Sequence, residues 1–196
     1  MSEQVQRIAI FASGRGSNAA AICAFFHAYD HIKVAAIFTN KADAGVIEVA
    51  KKFRVPYYVF TREEWNNPSF SVNNYLADKV DIIVLAGFLW QVPVSFLENH
   101  PVPVINIHPS LLPKYGGKGM YGMHVHEAVK AAGDTESGIT IHQVTANYDE
   151  GPVLFQAKCP IAATDDVDTI RKKVQGLEYI HFPKVIEFLL TALRVI

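Results

Sequence analysis

A short apolar run, Arg7-Ile-Ala-Ile-Phe11, opens without a break into Ala12-Ser-Gly-Arg-Gly-Ser-Asn18, and a helical stretch from about Ala19 to Ala28 follows. A strand that ends in a glycine-rich turn at the mouth of a helix is the first half of a βαβ unit. That unit commits the chain to parallel pairing with right-handed crossovers. The alternation continues through a strand over Lys33–Thr39, a helix over Ala44–Phe53, a strand over Tyr57–Phe60 and helical character over Phe70–Lys79. Asp81-Ile-Ile-Val-Leu-Ala86 is a continuous apolar run of strand length, as expected of a strand covered on both faces, and Pro103–His108 is the next strand. The expected fold is therefore α/β, a Rossmann-like, mostly parallel twisted sheet with helices on both faces.

After about residue 110 the rhythm changes. Strands are expected over Ser137–Val144 and Val153–Lys158, joined through Thr145–Pro152, with a long helix from Asp166 that Pro183 kinks or restarts. No linker or low-complexity stretch interrupts the 196 residues. Residues 1–196 are expected to form a single domain, with about 1–110 as its nucleotide-binding half and about 111–196 completing the site. A formal net charge of −1 argues against broad nucleic-acid binding, which needs a surplus of cations. No apolar run approaches the ~18 residues of a membrane span, and no signal-peptide pattern opens the chain. Cys23 and Cys159 lack metal-ligand or CxxC spacing and are expected as inert buried thiols of a cytoplasmic protein.

The turn itself carries chemistry. Glycines let backbone approach an anion closely, and a helix start presents unpaired N–H groups with partial positive charge. Gly16, Ser17 and Asn18 are therefore candidates to hold a phosphate, Ser17 and Asn18 also being good capping residues. The turn is not a Walker loop, since no GK[ST] follows. It matches a dinucleotide fingerprint only in part: Gly14 and Gly16 are present, position 19 is Ala, and no acidic residue stands at the end of the second strand, which reads Thr39-Asn40-Lys41. A single phosphate suits it better.

In Val104-Ile-Asn-Ile-His108 the period of two places Asn106 and His108 on one face and Ile105 and Ile107 on the other. An amide and an imidazole thus project together near the C-terminal end of a strand, where open α/β sheets bind ligands. Polar side chains inside an apolar strand need partners or a task.

Asn106-Ile-His-Pro-Ser-Leu-Leu-Pro113 resembles the signature of the 10-formyltetrahydrofolate-dependent formyltransferases. Ser13-Gly-Arg-Gly-Ser-Asn18 and Leu85-Ala-Gly-Phe88 resemble the phosphate loop and folate-pocket strand of the branch whose acceptor is glycinamide ribonucleotide. The similarity runs from Ile8 to about Leu190. It implies a catalytic group of Asn106, His108 and Asp149, the last in Asn147-Tyr-Asp-Glu-Gly-Pro152, where Glu150 departs from the usual Asp-Gly-Gly. It implies that Glu178, beside the apolar stripe Ile170, Val174 and Leu177, meets the substrate amine. Leu85, Phe88, Leu89 and Val92 would wall a pterin, and Trp90, where Arg is common in the family, could stack on it.

The implied co-substrate is 10-formyltetrahydrofolate and the implied partners are small molecules, with no metal, no nucleic acid and no membrane; the chain would be a monomer or homodimer. His124-Val-His126 lacks a matched third ligand. Related readings are a formyltetrahydrofolate hydrolase, a sugar-nucleotide formyltransferase and a methionyl-tRNA formyltransferase. A nicotinamide-dependent oxidoreductase would explain the βαβ start but not the Asn-Ile-His-Pro-Ser run, and a noncatalytic nucleotide-binding module predicts no turnover. The stretch Lys114–His126 is longer than the usual connection and carries four glycines. Lys118 or the Gly116–Gly119 backbone is expected to contact the substrate.

Overall fold

A computed structural model describes residues 5–67, 75–76 and 79–193. Seven strands, β1 Gln6–Phe11, β2 Ile32–Thr39, β3 Tyr57–Val59, β4 Ile82–Leu85, β5 Val104–His108, β6 Glu136–Gln143 and β7 Val153–Pro160, form one sheet in the order β3-β2-β1-β4-β5-β6-β7. The five strands from β3 to β5 are parallel; β6 and β7 join antiparallel. The described helices are α1 Ser17–Phe26, α2 Val46–Phe53, α3 Arg62–Asn66, α4 Val94–Asn99, α5 Met123–Ala132 and α6 Val167–Leu193. The helix expected over Phe70–Lys79 falls largely outside the described residues.

Alternation along the central strands builds two cores. Ile8 and Ile10 of β1, Ile82 and Val84 of β4 and Ile105 and Ile107 of β5 pack under α1, α2, α5 and α6, with Ile139 and Ile141 of β6. The intervening Ala9, Phe11, Ile83, Leu85 and Val104 face an aromatic core with Phe38, Phe60, Trp65, Phe88 and Phe96. The Ile8–Phe11 stretch of β1 and all of β4 are buried on both faces, hence their unbroken apolar sequences.

The chain winds outward from β1 through β2 to β3, then returns to place β4 on the other side of β1. The C-terminal ends of β1 and β4 therefore flank a topological switch point, where the connections diverge and leave a crevice. The rhythm change after residue 110 is the switch to antiparallel pairing. Ends differ from expectation by one or two residues at β3, β6 and β7. Pro183 does not restart α6, which runs through it with Phe182, Pro183 and Ile186 buried. Tertiary burial of that face outweighs the one hydrogen bond Pro183 removes. No helix among the described residues is long and apolar enough to cross a membrane.

Candidate active site

The crevice is a cleft of about 940 Å³ lined by the turn after β1, the segment after β4, the end of β5, the loop before β7 and one face of α6. At the end formed by the turn after β1, Gly16 is the residue before α1 and adopts φ 78°; an added Cβ would also lie 2.7 Å from Val46 Cγ2 on α2. Position 16 thus excludes a side chain on two counts. Ser17 begins the helix rather than capping it, no side chain caps the end, and no acidic residue sits in its first turn; Gly16, Ser17 and Asn18 line the cleft, where a helix start offers unpaired N–H groups.

Asn18 Nδ2 donates to Glu178 Oε2 at 3.1 Å, which brings the two ends of the chain to one wall. Burial pushes the Glu178 carboxyl up to about 7, against the opposing pull of the Asn18 amide.

The segment after β4 is held by its backbone. Ser13 N–H donates to Gly87 C=O at 3.0 Å, Leu89 N–H donates to Ser13 Oγ at 3.0 Å, and Trp65 Nε1–H donates to Gln91 C=O at 2.9 Å. Leu85, Phe88 and Val92 are buried in the aromatic core while touching the cleft, so they serve as core and wall together. Leu89 is exposed, and Trp90 carries the Arg62 guanidinium 4.2 Å above its ring.

At the centre the ring nitrogens of two histidines are fixed by carbonyls, which can only accept. His108 Nε2 lies 2.7 Å from Tyr115 C=O and therefore bears a proton; its Nδ1 lies 3.5 Å from Asp149 Oδ2. His142 Nδ1 lies 2.9 Å from Gln143 C=O and bears a proton, leaving Nε2 to accept from Asn106 Nδ2 at 3.1 Å. Asn106 retains a second N–H. Asp149, at φ 57°, also accepts from Gly117 N–H at 2.9 Å and lies 3.6 Å from His142 Nε2.

Burial lowers the His108 pKa, with the Asp149 charge and the Tyr115 carbonyl opposing it without reversing the shift. Burial pulls the Asp149 carboxyl upward, but the His108 ring beside it and the N–H that Gly117 donates hold it below its ordinary value.

A sequence profile described as formyl transferase matches residues 6–186. A protein of Haemophilus influenzae named phosphoribosylglycinamide formyltransferase is 35% identical over 189 residues, covering 94% of this chain and 87% of the relative. The chain belongs to the phosphoribosylglycinamide formyltransferases. A chloroplastic protein of that name from Vigna unguiculata is 36% identical, and this chain spans 61% of its length and 64% of the Arabidopsis thaliana one. Among solved phosphoribosylglycinamide formyltransferases, that of Anaplasma phagocytophilum superposes with a TM-score of 0.85 at 28% identity, covering 95% of this chain and 87% of the other. The Bacillus halodurans enzyme gives 0.83 at 32%, covering 94% and 95%.

The cleft brings together every expected residue of this family member: Gly16, Ser17 and Asn18, Leu85 to Val92, Asn106, His108, Asp149 and Glu178 all line it. Sequence reasoning missed His142. Its signal was the alternation Ile139, Thr140, Ile141, His142, which sets the imidazole on the non-core face of β6 just as Asn106 and His108 stand on β5. It also missed the backbone of the long connection. Tyr115 C=O and Gly117 N–H hold the ring and carboxylate of the His108–Asp149 pair. Lys118 lines the cleft mouth with its side chain exposed.

Proposed function

We propose that the protein transfers the formyl group of 10-formyltetrahydrofolate to the amine of glycinamide ribonucleotide, a step of purine synthesis. The observation that carries this reading is the position of Asn106: its unspent N–H sits between an anion-binding turn and an apolar slot, with the His108–Asp149 pair beside it. The nucleotide phosphate binds the α1 N–H groups and Gly16, Ser17 and Asn18. The pterin occupies the slot along Leu85, Phe88, Leu89, Trp90 and Val92, and Glu178 meets the substrate amine.

The neutral amine nitrogen attacks the formyl carbon, the C=O π pair moves to oxygen, and a tetrahedral intermediate forms. Asn106 donates its second N–H to that oxygen. His108 turns its Nε2–H from the Tyr115 carbonyl to the same oxygen once substrate arrives, catalytic hydrogen bonds commonly tightening only in the complex. One such donor lowers the barrier by ~3–4 kcal/mol. Asp149 favours the charged imidazole and relays the proton lost by the attacking nitrogen, through water, to N10 of the departing folate. The nitrogen–carbon bond to N10 then breaks as the oxygen pair re-forms the carbonyl. No covalent enzyme intermediate is needed, because the amine is already a nucleophile. Small-molecule substrates and free thiols go with a cytoplasmic location.

The test follows formyltetrahydrofolate absorbance with and without glycinamide ribonucleotide. Turnover that requires the acceptor is expected; turnover without it identifies a hydrolase and overturns the proposal.

A further inference from the structure

The segment after β4 and the loop before β7 face each other across the folate half of the cleft, the first contributing Leu89 to Val92 and the second Val144, Thr145 and Asn147 to Asp149. They come from positions far apart in sequence, and no strand pairs them directly. One side chain does. Gln91 Nε2 donates to Ala146 C=O at 2.7 Å, across 55 residues of chain. The backbone of Gln91 is itself anchored, its carbonyl accepting from the buried Trp65 indole at 2.9 Å. Leu89, two residues earlier, is fixed to Ser13 Oγ on the phosphate turn. Gln91 is therefore a rigidly mounted donor at the cleft mouth, and its acceptor lies three residues before Asp149.

From this geometry we infer that the Gln91 side chain is a strap that sets the width of the formyl-donor slot and the position of the Asp149 loop. The inference rests on the folate reading of the slot. Gln91 touches none of the reacting atoms in this arrangement; it is a positioning residue acting through Ala146 and the loop that follows. The strap works because an amide N–H matches a carbonyl that can only accept. A carboxylate of the same size at position 91 places two acceptors face to face and pushes the loops apart, whereas truncation merely releases them.

The test compares Gln91→Ala and Gln91→Glu with the wild type in steady-state transfer, and in equilibrium titration of intrinsic tryptophan fluorescence with folic acid. The side chain is exposed, so both variants are expected to fold with near-native Tm. Loss of one such hydrogen bond predicts a rise in KM for formyltetrahydrofolate and in Kd for folic acid of about three- to tenfold in Gln91→Ala. Gln91→Glu should be worse than Gln91→Ala, while KM for glycinamide ribonucleotide stays within about twofold. A solvated surface glutamine would give no such ordering and no split between the two substrates. If the wild type binds folic acid or turns over and both variants stay within twofold of it, the strap is overturned and the functional reading stands. If the wild type shows neither folate binding nor transfer, the functional reading fails and the strap fails with it.

Discussion

Asn106 on β5 and His142 on β6 stand directly opposite each other in the antiparallel ladder, and the Asn106 amide donates to His142 Nε2 at 3.1 Å. Because the Gln143 carbonyl fixes the His142 tautomer, the Asn106 amide is held with one N–H used and one directed to the cleft. His142→Ala removes the acceptor and frees the amide to rotate. The expected result is a fall in kcat of about tenfold with both KM values nearly unchanged, since a loosened donor costs transition-state more than ground-state binding. His142→Gln, which supplies an amide oxygen in place of Nε2, should recover most of the loss. Equal kcat in wild type and His142→Ala would remove this role.

Asn106→Ala and His108→Ala delete the donors themselves. Each should lower kcat by about 10²–10³-fold, the usual cost of one oxyanion donor, with far-UV circular dichroism unchanged. Near-normal kcat in either variant would end the oxyanion assignment.

Asp149 and His108 oppose each other's environment in a measurable way. Burial already sets the His108 pKa below its ordinary 6.5, and the Asp149 charge works against that shift. Asp149→Asn removes the opposing charge, so the imidazole should titrate at still lower pH. NMR titration of labelled histidine reads this directly. The pH at which transfer falls with deprotonation of His108 should move to lower pH with it; an unchanged His108 titration would disconnect the pair.

Glu178 offers a stability test with a definite sign. Its folded pKa of about 7 lies above the ordinary 4.5, so its contribution is fully present below 4.5 and lost as pH rises through about 7. Glu178→Gln cannot ionise and keeps the neutral state at every pH. The variant should therefore match the wild type below 4.5 and exceed it in Tm above 7, by a gap of roughly 3–8 °C. Its KM for glycinamide ribonucleotide should rise at pH 8, because an anion facing the substrate amine is gone. A Tm gap that is flat with pH would show that Glu178 does not titrate with folding.

The order of strands and helices, the glycine-rich turn and the pairing of Asn106 with His108 on one face of β5 are all legible along the chain. Each rests on a period of two or on a local backbone demand, such as the positive φ at Gly16, and these depend on neighbours a few residues away. The role assigned to Asp149 came from resemblance, because nothing in Tyr148-Asp-Glu150 alone distinguishes a catalytic carboxylate from a turn residue. Only the folded molecule decided that His142 faces Asn106, that Tyr115 and Gly117 hold His108 and Asp149, and that Gln91 reaches Ala146. The reason is physical: these contacts join segments whose relative register is set by the antiparallel turn-back of β6 and by packing of loops on two separate cores. Electrostatics followed the same division, for the upward shift of Glu178 depends on how deeply α6 and α1 bury it together, which no local pattern encodes.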